Sequence, residues 1–150
     1  MHQSIRHYMS ENPRTVRPEE TLLRARQLMQ AAAIRHLPVV DEPSGELVGV
    51  VTERDIHLLE GYGRAPYELR VRDAMTPEPF VVSAAAPLRL VARAMAEHKY
   101  GSAIVLDEGR VVGIFCATDA LHALSELFDE YFAAPTSDRW GRPLDSRVEP

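Results

Sequence analysis

At 150 residues and 16.8 kDa the chain has room for one compact domain or two very small ones, not for a large multidomain enzyme. Its 17 Lys+Arg against 22 Asp+Glu give a formal charge of -5, which argues against general attraction to nucleic acid or anionic lipid. A single cysteine, Cys116, rules out an intrachain disulfide and a cysteine-based structural zinc site, and is expected as a small buried thiol.

The N-terminal stretch from Met1 to His7 lacks the apolar core of a signal peptide, and no run is apolar enough to span a membrane, so the cytoplasm is the expected compartment. A shift of 66 positions superposes Met9 on Met75, Pro13 on Pro79, Val16 on Val82, Leu22 on Leu88, Met29 on Met95, Val39 on Val105 and Asp41-Glu42 on Asp107-Glu108. The shift then falls to 64, because Pro43-Ser44 are extra in the first copy; Gly45 meets Gly109, Val48-Gly49 meet Val112-Gly113, and Asp55 meets Asp119. An insertion in a hairpin turn accounts for the slip.

Each copy reads as strand, helix, strand, strand, helix, an α/β pattern. Along the first copy, Thr21 to Ala33 puts Leu22, Ala25, Leu28, Met29 and Ala32 on one helical face. Leu37 to Val40 and Leu47 to Val51 are β-rich runs flanking a turn at Asp41 to Gly45, a hairpin, and a second helix follows. Gly61 to Pro66 read as a linker between a first repeat, 1–60, and a second, 67–125. In the second copy Leu88, Val91, Ala92, Met95 and Ala96 form the matching stripe, with Pro87 suited to the first turn. Ala103 to Leu106 and Val111 to Phe115 flank the tighter turn Asp107 to Arg110, and an amphipathic stretch follows from Ala120 to Phe132. Residues 126–150 are read as a helix end and a mobile tail, with Trp140 its one large apolar side chain, expected to be exposed.

Two segments carry the candidate chemistry: Gly49 to Asp55 and Gly113 to Asp119, each placing a carboxylate just inside a strand-to-helix junction. In the first, Thr52-x-x-Asp55 has the pattern of a capping box, which needs no ligand. Capping is expected to fail in the second copy, where Cys116 takes the cap position, yet Asp119 is still there. The other reading is recognition: such a carboxylate accepts hydrogen bonds from a ribose diol, while helix-start N–H groups, a hydroxyl and Arg54 receive phosphate.

The duplicated elements, and above all Gly49-Val50-Val51-Thr52-x-x-Asp55, resemble a tandem pair of cystathionine β-synthase (CBS) domains over about Ser4 to Ala123. The resemblance implies a Bateman module, two repeats around a pseudo-twofold axis with two clefts for adenosine-containing ligands. It carries ribose carboxylates onto Asp55 and Asp119, and phosphate-side hydroxyls onto Thr52 in one copy and Thr118 in the other. Neither copy has both hydroxyls, since Arg54 replaces one and Cys116 the other, so the clefts are expected to differ in phosphate preference. The base is expected against Thr15-Val16 with His36-Leu37-Pro38, and against Val81-Val82 with Ser102-Ala103-Ile104. An imidazole at His36 could make binding pH-dependent, although a packing role accounts for it as well. His2, His7, His57, His98 and His122 show no metal-ligand spacing, and no catalytic nucleophile–base arrangement is evident, so neither a metal nor catalysis is expected. The expected protein is a stand-alone regulatory module, homodimeric through its terminal helices, that binds AMP, ADP or ATP and signals to an effector protein. The alternatives are a structural module with empty clefts, or a sensor of S-adenosylmethionine or a dinucleotide.

Overall fold

The computed structural model describes residues 4–132. The tail with Trp140 lies outside them. After a 3-10 turn at Ile5–His7 come β1 (Ser10–Glu11), α1 (Leu22–Ala32), β2 (His36–Val40), β3 (Leu47–Thr52), α2 (Glu53–Gly61), α3 (Val71–Ala74) and β4 (Thr76–Pro77). The second copy supplies β5 (Val81–Ser83), α4 (Leu88–His98), β6 (Ser102–Asp107), β7 (Arg110–Cys116) and α5 (Ala117–Tyr131). The strands form a three-stranded sheet, β2-β3-β4, and a four-stranded sheet, β1-β7-β6-β5. Helix α1 starts where Thr21 Oγ1 accepts the Arg24 N–H at 3.2 Å, and ends at Ala33 in the left-handed region. Pro87 stands one residue outside the position expected for it, as the cap before Leu88, where its extended backbone ends the preceding turn.

One expected element is reduced. In the second copy β5 runs parallel to β6, whereas its counterpart at Thr15-Val16 is a single parallel bridge from Val16 to Val39. Prolines account for the loss on both sides. Ile104 N–H donates to the Phe80 carbonyl at 2.8 Å, but the residue matching Ile104 is Pro38, which has no N–H. The next donor along the short strand is Pro18, which lacks one too, so only the bonds of Val16 with Pro38 and Val40 remain.

The two repeats follow one another along the chain, but the packing crosses over. Val71 N–H and Arg72 N–H donate to Glu20 and Pro18 of the first repeat at 2.8 and 3.0 Å. Ile5 N–H and Arg6 N–H make the matching bonds to Ala86 and Ala84 of the second at 3.0 and 3.2 Å. One core therefore joins Ile5 and Met9 to Leu88, Val91, Met95, Val105 and Phe115, while the other joins Leu69 and Val71 to Leu22, Met29, Leu37, Val39 and Val51. Each repeat is completed by the segment leading into the other.

The exchange needs glycine where the segments cross the sheets. A Cβ on Gly49 would lie 2.8 Å from the Thr76 carbonyl oxygen and from Met75 Sδ, and one on Gly113 would lie 2.7 Å from Met9 Sδ and 3.2 Å from the Ser10 oxygen. Gly49→Ala is expected to cost about 1–3 kcal/mol in urea unfolding, as overpacking does. Gly113→Ala should cost less, because its closest obstacle is a flexible thioether and not a backbone oxygen. Equal losses would count against this account.

Candidate functional site

Both carboxylates stand in the first turn of a helix that leaves a sheet, and equivalent backbone bonds fix both junctions. Glu53 N–H donates to the Arg35 carbonyl at 3.0 Å, and Ala117 N–H to the Gly101 carbonyl at 3.2 Å. Asp55 Oδ2 accepts the Thr52 N–H and the Thr52 hydroxyl, each at 2.8 Å, while Thr52 Oγ1 accepts the Asp55 N–H at 3.1 Å. This is a complete capping box.

The second junction corrects the expectation that capping fails there. Asp119 Oδ2 accepts the Cys116 N–H at 2.7 Å. A backbone N–H is the donor, so this half of the box needs no hydroxyl at position 116. Capping thus engages one oxygen of each carboxylate. Among the described residues, Oδ1 of Asp55 and Oδ1 of Asp119 have no hydrogen-bond partner. A carboxylate has about four lone-pair positions, so each keeps capacity for a ligand diol. Burial pushes the Asp119 carboxyl above its ordinary range, against the Cys116 hydrogen bond and His122, which favour the charged form.

Alternation along the strands sorts the base-side residues. Leu37, Val39, Ala103 and Val105 face the helices and belong to the two cores. Pro38 and Ile104 are also fully buried but belong to neither core, which puts them with His36 and Ser102 on the opposite sheet faces. At His36 that face meets the other repeat. A Cβ on Gly101 would fall 2.8 Å from His36 Nε2, so the imidazole of the first repeat lies against the backbone entering β6. The structure therefore brings His36, Thr52 and Asp55 together. Val16 is buried, Val82 is half-buried, and Thr15, Arg54, Val81 and Thr118 are exposed. Leu37, Pro38, Ala103 and Ile104 are fully buried, side chain and backbone alike.

Sequence reasoning passed over Arg35 and Gly101. Arg35 acts on both repeats: its charge disfavours protonation of His36 and favours the thiolate of Cys116. The available signal was the repeat register, in which Arg35 faces Gly101 immediately before His36 and Ser102. Cys116 is half-buried; burial, with Asp119 beside it, raises its thiol to about 12, which keeps it protonated at neutral pH.

His36 carries a pH prediction. Burial lowers its pKa below the ordinary 6.5, helped by Arg35 and opposed by Asp55. The unfolded chain therefore takes up the proton first on acidification. The stability held by neutral His36 is full above the unfolded value and is lost as pH falls from about 6.5 towards the folded pKa. His36→Gln should flatten this part of the stability profile, and an unchanged slope between pH 7 and 5 would contradict it.

Among the described residues no group of three or more His, Cys, Asp or Glu side chains could hold a metal ion, and no helix is long and apolar enough to cross a membrane. Fold and site together define a duplicated α/β module whose two halves offer equivalent carboxylates at the starts of helices. Residues 5–59 and 71–126 each match the CBS domain. Protein YlbB of Bacillus subtilis is 34% identical over 110 residues, covering 73% of each chain. The chain belongs to the CBS domain family. The inosine-5'-monophosphate dehydrogenase of Korarchaeum cryptofilum is 33% identical over 115 residues, which are 76% of this chain but only 23% of the enzyme, so the chain spans less than a quarter of that relative. Among solved structures, CBSX2 of Arabidopsis thaliana in complex with AMP superposes with a TM-score of 0.71 and 27% identity, covering 84% of this chain and 98% of that one. The CBS domain pair of protein MJ0100, in complex with 5'-methylthioadenosine and S-adenosyl-L-methionine, superposes with a TM-score of 0.72 and 28% identity over 83% and 98%.

Proposed function

We propose that this chain is a regulatory module that binds an adenine nucleotide, AMP, ADP or ATP, in the clefts between its two CBS repeats. The observation that carries this reading is the pair of equivalent carboxylates, Asp55 and Asp119, each with Oδ2 held by its helix start and Oδ1 left for a ligand. The AMP bound to CBSX2 and the adenosyl compounds bound to MJ0100 support an adenosine-type ligand. Thr52 and Arg54 serve the phosphate side of one cleft and Thr118 that of the other. Thr15, Val16, His36, Leu37 and Pro38, and in the second cleft Val81, Val82, Ser102, Ala103 and Ile104, line the base.

The module performs no catalysis of its own. It works in the cytoplasm as a homodimer through its terminal helices, and ligand favours one arrangement of the repeats, which an effector protein reads by linkage. The capping bond that each carboxylate makes at its own junction is the observation that favours the rival reading, a structural module with empty clefts.

The test is thermal unfolding with AMP, ADP, ATP, NAD, S-adenosylmethionine and a cytidine nucleotide. Ligand bound only to the native state adds about 2.7 kcal/mol at a hundredfold excess over Kd. An upward shift with adenine nucleotides alone is expected. A shift with S-adenosylmethionine or NAD alone reassigns the ligand, and no shift at all leaves the structural reading.

A further inference from the structure

Between α1 and α2 the first repeat carries an open groove of about 280 Å³. That is just below the roughly 300–1,000 Å³ of pockets that hold drug-sized ligands, so it suits a smaller molecule. Met29, Ile34 and Ile56 give it apolar surface, and Arg26, Gln30, Arg35, Glu53 and His57 give it polar groups. Neither Thr52 nor Asp55 lines it, which separates it from the clefts. The second repeat supplies an internal comparison. There the positions matching Arg26, Gln30, Arg35, Glu53 and His57 are Ala92, Ala96, Gly101, Ala117 and Leu121. Both copies fold alike, so the fold does not require the polar set.

Two of its charges are without partners. Arg26 is ion-paired with Glu60. The Glu53 N–H donates to the Arg35 carbonyl at 3.0 Å, so those two side chains leave adjacent backbone. Yet among the described residues neither side chain makes a hydrogen bond or an ion pair. A ligand of one sign would displace water from both and leave one charge unpaired, which is costly. A small zwitterion satisfies both. An α-amino acid carries its ammonium and carboxylate on a single carbon, which matches charges rising from adjacent backbone.

We propose that this groove binds one free α-amino acid with an apolar side chain. Arg35 takes its carboxylate, Glu53 its ammonium, and Met29, Ile34 and Ile56 its side chain. The site is independent of the nucleotide reading and gives the module a second class of ligand.

The test is calorimetric titration of the full chain with L-leucine and L-methionine, beside leucinamide, 4-methylpentanoate, glycine and L-glutamate. L-Leucine or L-methionine should bind at one site per chain, because only the first repeat has the polar set. Leucinamide lacks the carboxylate and 4-methylpentanoate the ammonium, so each should bind roughly 10- to 150-fold more weakly than L-leucine. Arg35→Gln should no longer distinguish L-leucine from leucinamide, and Glu53→Gln should no longer distinguish it from 4-methylpentanoate. Saturating AMP should not displace L-leucine. The proposal is overturned if neither apolar amino acid binds, or if any of the other four probes binds as tightly as L-leucine. Two sites per chain, or displacement by AMP, also overturns it by placing the amino acid in the clefts. Should a variant fail to fold, the analogue series on the wild-type chain decides.

Discussion

Phe115→Ala lowers the free energy of unfolding by about 3–5 kcal/mol, the expected range for truncating a fully buried phenylalanine. Phe115 heads the fully buried side chains by size, and it packs in the core that also holds Ile5 and Met9 from the N-terminal segment of the first repeat. The cavity would therefore loosen the seat of that segment as well as the second sheet. Phe115→Val should cost less, since valine stands at the matching position, Val51, in the first repeat. Because each core borrows residues from the other half, both repeats should be lost in one cooperative transition. Urea unfolding followed by far-UV circular dichroism measures the loss, and hydrogen exchange resolved by segment shows whether the halves open together. Leu58→Ala, at a side chain 59% exposed, is the control and should stay within about 0.5 kcal/mol of wild type. A Phe115→Ala loss below 1 kcal/mol, or separate opening of the two halves, would contradict the exchanged packing.

The second large effect falls on ligand affinity. Asp55→Ala and Asp119→Ala each remove a charged acceptor whose hydrogen bonds are worth about 1.5–3 kcal/mol, or roughly 10- to 150-fold in Kd at the affected cleft. Each also removes a cap, at about 1 kcal/mol of stability with no ligand present. Asparagine separates the two roles, because its amide oxygen can still accept the backbone N–H of Thr52 or Cys116 while the charge is gone. Melting without ligand should recover in Asp→Asn, and affinity should recover only in part. Calorimetric titration with AMP beside melting curves reads both quantities. If alanine lowers melting but leaves affinity unchanged in both variants, the carboxylates are caps only. Asp119 adds a pH dependence of its own. Burial raises its carboxyl, so its cleft should lose the charged contact at higher pH than an ordinary aspartate would on acidification.

Much of this was legible before any coordinates. Helices α1 and α4 follow from apolar stripes repeated at one register, and the two hairpins from β-branched runs around turn residues. Asp55 and Asp119 were legible as a pair because duplication put them at equivalent junctions. The reduced strand at Thr15-Val16 was written in Pro18 and Pro38, but its meaning depends on which backbone atoms face each other across the sheet. The capping role of Asp119 was hidden for a similar reason: the donor is a main-chain N–H, which no residue letter records.

The sequence by itself determined the duplication, the type and order of the main elements, the glycine–carboxylate segments and the absence of a second cysteine. These depend on local periodicity and composition, which neighbours in the chain carry. Only the tertiary structure decided that Ile5 and Met9 serve the second core and Leu69 and Val71 the first, that His36 lies on Gly101, and that Pro38 and Ile104 are closed off from solvent on the sheet faces opposite the two cores. The repeats are alike, so a segment of either fits the matching seat in both. Hydrophobic pattern cannot say which seat it takes; the path of the chain through three dimensions does.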